Sequence, residues 1–217
     1  MTDRLRLALW CGLVGFLILV AYAGRVSEGK PDRDILYQYS TAISSGVVYA
    51  FILVIVLALA GFRRDLLGLV RPRSWPAALG LALAILVGTY ITLAFLEPVL
   101  HGGREQGLTP PGWQPSHAGA YAANFLVVAG MAPLTEELTF RGLGFSLLER
   151  YGTWLAIVVV GVTFGLAHGL VQALPELALF GCALAWLRAR TGSVLPGMLL
   201  HAVFNALALV AAVTIDN

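Results

Sequence analysis

Apolar residues run along this chain in long unbroken blocks, and polar residues punctuate them. A helix crossing the ~30 Å hydrocarbon core needs about 20 apolar residues, so the blocks read as membrane spans. Leu7 to Gly24 is the first, entered from Arg4 and Arg6. Its Ala21-Tyr22-Ala23 also fits a secretory cleavage pattern, but several spans follow and it is read as an ordinary first anchor. A mixed-charge loop, Arg25 to Asp34, precedes a second span within Ile35 to Phe62, about Ala42 to Gly61. Arg63, Arg64, Arg71 and Arg73 then make the most basic loop of the chain.

The third span runs from Pro76 to about Leu96, with Trp75 as an interfacial anchor. Glu97 to Gly119, carrying Pro110-Pro111-Gly112-Trp113 and Pro115, is expected to be a lid-like loop rather than a helix. A fourth span begins near Ala120 and is kinked at Pro133. Gly142 to Gly152 reads as a short interfacial connector. The fifth span is Thr153 to about Gly169, Leu177 to Leu187 is the core of a short sixth, and Ser193 to Val213 is the seventh. No repeat of fixed period is visible, which tells against a duplicated transporter.

Composition strengthens this picture. The chain has 217 residues, 59% hydrophobic and 12% charged, with a mean hydropathy of +0.82. Ordinary globular domains carry roughly twice that charged fraction, so the excess apolar surface must face lipid. The expected fold class is all-α: one polytopic transmembrane helix bundle of about seven spans, residues 1–217. A net charge of +2 without a large Lys/Arg cluster gives no footing for nucleic acid. Cys11 and Cys182 lie inside apolar runs and read as small core residues, not as a disulfide or a metal site.

Lys/Arg bias sets the expected orientation. With the N-terminus cytoplasmic, Arg4, Arg6, Arg63, Arg64, Arg71, Arg73, Arg150, Arg188 and Arg190 fall inside, against Arg25, Lys30, Arg33 and Arg104 outside. The expected location is the plasma membrane of a prokaryote, as a multi-pass protein.

Candidate chemistry concentrates where charge interrupts the apolar pattern. Glu136, Glu137 and Arg141 lie between two uncharged runs. Each charge at a membrane centre costs about 2.5–3.5 kcal/mol on insertion scales, so the three need partners or a wet cavity. Glu137 and Arg141 are spaced i,i+4 in the favourable order and are expected to pair. Glu136 points ~100° away around the helix and is left as the reactive carboxylate. His168 and His201 each stand in an otherwise apolar helix, and Asn205 shares a helix face with His201. His101 and His117, in the long loop, read as solvent-facing.

A carboxylate and an imidazole can activate a water, while a second imidazole and an amide can stabilise an oxyanion. That set suits peptide hydrolysis without a Ser or Cys nucleophile. A zinc ion held by Glu136, His168 and His201 is the alternative arrangement. His-Glu-x-x-His, Gly-x-Ser-x-Gly, P-loop and Rossmann fingerprints are all absent.

Glu-Glu-x-x-x-Arg at Glu136, Glu137 and Arg141, Phe-x-x-x-His at Phe164 and His168, and His-x-x-x-Asn at His201 and Asn205 occur in that order. Ala132-Pro133, Phe140-Arg141-Gly142 and Arg190-Thr191-Gly192-Ser193 accompany them. This pattern resembles the CAAX protease and bacteriocin-processing family, intramembrane endopeptidases called Abi proteins in bacteria and related to the type II CAAX prenyl endopeptidase. The resemblance spans roughly Ala118 to Val213, and residues 118–213 would be the protease core. It implies that Glu136 and His168 activate water, that His201 and Asn205 form the oxyanion hole, and that Glu137 and Arg141 hold the site in shape. The substrate would be a peptide or lipidated protein met in membrane lipid. Metal-dependent and metal-free readings of the family both exist. The metal-free one is preferred here, because only two histidines are available and Arg141 adds positive charge. The rivals are a non-catalytic binding or immunity protein, a small proton-coupled transporter and a two-histidine haem protein.

Overall fold

A computed structural model describes residues 1–28, 34–105, 110 and 112–214. Lys30, Arg33 and Pro111, parts of the expected loops, lie outside them. Seven helices carry the fold: α1 (Asp3–Glu28), α2 (Tyr39–Ala60), α3 (Trp75–Leu100), α4 (Pro115–Tyr151), α5 (Thr153–Leu166), α6 (Leu174–Thr191) and α7 (Leu195–Thr214). Among the described residues, α1, α2, α3, α4 and α7 are long and apolar enough to cross a membrane. The α5 helix is apolar but shorter, and α6 carries Glu176, Arg188 and Arg190. The chain is thus an all-α multi-pass membrane protein.

The basic loop after α2 closes one end of the bundle. Arg73 N–H bonds to Thr191 O, Val194 N–H to Gly68 O, and the Ser193 hydroxyl to Val70 O. The opposite end gathers Tyr37, whose phenol donates to Gly112 O, and Glu105, which receives the N–H groups of Val171, Gln172 and Ala173. That carboxylate closes the open N-terminus of α6 and also pairs with Arg25 at the end of α1.

Several expectations change. Gly142 to Gly152 is not an interfacial connector: α4 continues through it to Tyr151, and residues 142–145 are buried. The reason is close packing. A Cβ at Gly142 would stand 2.7 Å from Leu67 O, and one at Gly144 would stand 2.4 Å from the Trp10 ring. The expected loop from Glu97 also narrows, because α3 runs on to Leu100. Pro98 lies in its last turn, where a missing N–H disturbs little of the helix behind it. His168 lies on the turn after α5, which ends at Leu166, rather than inside a helix; Gly169 takes φ +68° there. Arg188, counted as a loop charge, is buried within α6 over the Phe145 ring. Cys11 is exposed on the outer face of α1 rather than in the core, and both cysteines are free.

Helices α5 and α6 approach closely because both carry glycine at the crossing. A Cβ on Gly161 would meet Cys182 N at 2.6 Å, and one on Gly181 would meet Gly161 O at 2.6 Å. This brings the α6 backbone within reach of the α4 side chains. Helix α1 is also a wall of the site: Trp10, 2% exposed, donates its indole N–H to Thr139 O at 2.8 Å.

Candidate active site

The site is built on α4, which is α-helical over Ala132–Glu137 and π-helical on both sides, at Val127–Met131 and Leu138–Gly144. Isolated π-turns insert a residue into the helical ladder and recur at functional sites. The first has a readable cause. Ala132 N–H bonds to Val127 O, the i to i−5 pattern. The next donor in that pattern would be Pro133, which has no N–H, so Val128 O loses its intrahelical partner. The side-chain amide of Asn205 fills the gap, Nδ2 donating to Val128 O at 2.8 Å.

Glu137 and Arg141 are both 0% exposed, and Arg141 Nη1 donates to Glu137 Oε1 at 2.9 Å. Arg141 Nη2 reaches Gly181 O at 2.8 Å, and the guanidinium lies 4.3 Å from the Phe164 ring centroid. Glu137 Oε2 and Arg141 Nε have no hydrogen-bond partner among the described residues. The buried pair therefore holds α4 against α5 and α6.

His201, 3% exposed on α7, stands between the two glutamates. Its Nδ1 is 3.1 Å from Glu137 Oε1, and its Nε2 is 3.7 Å from Glu136 Oε2. An ionised carboxylate only accepts, so Nδ1 carries a proton and donates to Glu137. Nε2 is left facing Glu136. The rings of Phe164 and Phe180 meet the imidazole edge-on at 5.6 and 5.4 Å.

Glu136 is half-buried and has a partner that the motifs do not contain. The Tyr49 phenol on α2 donates to Glu136 Oε1 at 3.1 Å, and the Thr135 hydroxyl donates to Tyr49 O at 3.5 Å. A Tyr in the middle of an apolar span is the one sequence signal, since its hydroxyl wants a partner when buried. Trp10, which clamps Thr139 O, sits in another span without a motif.

The structure does not bring His168 into this cluster. It is exposed, its Nδ1 lies 2.8 Å from Phe164 O, and its ring meets Phe164 at 4.7 Å. A carbonyl only accepts, so Nδ1 donates and Nε2 stays free. Phe164 therefore touches both imidazoles and the Arg141 guanidinium. His101 and His117 are exposed on the loop end of the bundle. Among the described residues, no group of three or more His, Cys, Asp and Glu side chains is placed to hold a metal. Glu136, His168 and His201 do not fit a zinc site in this arrangement.

What the arrangement offers is a largely buried carboxylate oriented by a phenol, opposite an imidazole whose other nitrogen is tied to a buried ion pair. No curated protein and no solved structure matches the chain. Residues 118–207, which span α4 to α7 and hold both glutamates, Arg141, both site histidines and Asn205, match the family model described as Type II CAAX prenyl endopeptidase Rce1-like. Over these residues the chain is similar to the family described as Type II CAAX prenyl endopeptidase Rce1-like.

Proposed function

We propose that the protein is an intramembrane endopeptidase that cleaves a membrane-associated peptide, a prenylated CAAX tail or a leader peptide, with water activated by a glutamate. The observation that carries this reading is the placement of His201 between Glu136 and Glu137. Glu136, held by Tyr49, takes the proton of a water as its oxygen attacks the scissile carbonyl carbon. His168, which Phe164 separates from His201, is the proposed second group on the water and must turn past that ring to reach it. His201 as the imidazolium, Nδ1 held on Glu137 and Nε2–H donating, and the remaining Nδ2 proton of Asn205 stabilise the oxyanion. The tetrahedral intermediate then collapses, the C–N bond breaks, and the proton held on Glu136 passes to the leaving amine. Glu137 and Arg141 do not react; they fix the imidazole. The N-terminus is taken as cytoplasmic from the Lys/Arg bias between the two sides, and the membrane is proposed to be a prokaryotic plasma membrane.

The test is peptide cleavage by the purified protein beside Glu136→Ala, with and without a strong chelator. The panel holds farnesylated CAAX peptides and unlipidated membrane-spanning ones. Cleavage lost in Glu136→Ala and kept with chelator is the expected result. Loss in both points to a metal-dependent reaction. Equal cleavage by both proteins removes Glu136 from the mechanism.

A further inference from the structure

Between α3 and α6 lies a cavity of about 300 Å³ that the proposed reaction does not use. Ile85, Leu93, Leu179 and Phe180 give it apolar walls, and Thr89 and Glu176 give it polar edges. Its volume is at the small end for ligand pockets, suited to one long side chain.

Glu176 is the unexplained feature. It is 8% exposed, and its Oε1 is buried without a hydrogen-bond partner among the described residues. Among the described residues, Arg141 holds Glu137 and Arg25 holds Glu105. A buried carboxylate without a cation is costly, so the cavity has the sign and shape for an incoming cation on an apolar stem.

The cavity also adjoins the chemistry. Phe180 lines it and, with its ring 5.4 Å from that of His201, is part of the active-site wall. Glu176 stands one helical turn earlier on the same face of α6, about 6 Å along the axis. That distance is spanned by the stem of a lysine or arginine.

We infer that this cavity is a specificity pocket for a basic side chain of the peptide substrate. The alkyl stem lies along Ile85, Leu93 and Leu179, and the cationic end meets Glu176. This inference rests on the endopeptidase reading, so its test measures binding and not cleavage. Labelled membrane-spanning peptides with lysine, norleucine or alanine at each position around the expected scissile bond are titrated onto full-length Glu136→Gln protein in nanodiscs. At one position the lysine peptide should bind about 10-fold tighter than the norleucine peptide, the equivalent of about 1.4 kcal/mol. Adding Glu176→Gln should erase that difference. Ala183→Leu, which fills the cavity from α6, should bring lysine and norleucine peptides down to the alanine peptide; it is the second variant should Glu176→Gln not fold. Equal binding of lysine and norleucine peptides everywhere, or a preference that survives both variants, overturns the inference, as does no binding of any peptide. Cleavage by the wild-type protein, read separately, decides the endopeptidase reading.

Discussion

The Tyr49 phenol, outside every motif of the site, donates a 3.1 Å hydrogen bond from α2 to the Glu136 carboxylate on α4. A hydrogen bond to a charged group contributes about 1.5–3 kcal/mol. Tyr49→Phe keeps the ring and removes only the donor, so it should lower kcat about 10- to 100-fold. The melting temperature in detergent should stay close to wild type, because the phenol is half-buried. Unchanged kcat in Tyr49→Phe would show that Glu136 is oriented without α2.

The Glu137–Arg141 pair predicts a different signature. Both side chains are fully buried, so removing the cation strands a carboxylate in an apolar interior. Arg141→Ala should cost about 3–5 kcal/mol of stability, read as a shift of the denaturant midpoint. Glu137→Gln keeps the shape and an acceptor for Arg141, and should cost less. Combining Arg141→Met with Glu137→Leu should recover part of the Arg141→Ala loss, since neither charge then remains. A double variant as unstable as the sum of Arg141→Met and Glu137→Leu measured singly would show that the pair does not act as a unit.

How much of this was legible in the sequence depends on how local each relationship is. Glu137 with Arg141 follows from i,i+4 spacing on one helix, and the structure makes that bond. The same rule places His201 and Asn205 on one face, yet they reach different partners: His201 meets the glutamates and Asn205 meets Val128 O. That split originates in Pro133 and the π-turn before it, and helical spacing on α7 carries no trace of events on α4. Tyr49 and Trp10 were hidden because their spans hold no charge to mark them. The glycines of 142–152 suggested a connector, whereas Gly142 and Gly144 are packing positions for Leu67 and Trp10. Covalent spacing reports on one helix at a time, and the site is assembled from six.

The anchor at the loop end gives a pH dependence with a defined sign. Burial disfavours the charged form of Glu105, but the N–H groups of Ala173, Val171 and Gln172, together with Arg25, outweigh it and hold the carboxyl below its ordinary 4.5. A carboxyl lowered on folding contributes stability that is full above the unfolded value and lost as pH falls through the folded one. Wild type should therefore exceed Glu105→Gln in melting temperature by a constant margin from neutral pH down to about 4.5. Below that the margin should shrink. A margin independent of pH to about 3 would assign the effect of Gln to packing rather than to charge.

Asn205 has two claims on it, and Pro133 separates them. Its amide satisfies Val128 O, a carbonyl orphaned because residue 133 lacks an N–H, and it is also the proposed second donor to the oxyanion. Asn205→Ala in the wild-type background should leave a half-buried carbonyl unpaired, costing about 1–3 kcal/mol of stability. Pro133→Ala restores an N–H on α4 that can bond to Val128 O along the π-turn. In that background Asn205→Ala should cost markedly less stability, a coupling of about 1 kcal/mol or more by the double-mutant cycle. Its effect on kcat provides the contrast. Removing one oxyanion donor costs about 100- to 1000-fold, and that loss should persist whether residue 133 is Pro or Ala. If the kcat loss disappears together with the stability loss in Pro133→Ala, Asn205 serves only to close the helix, and the oxyanion is left to His201 alone.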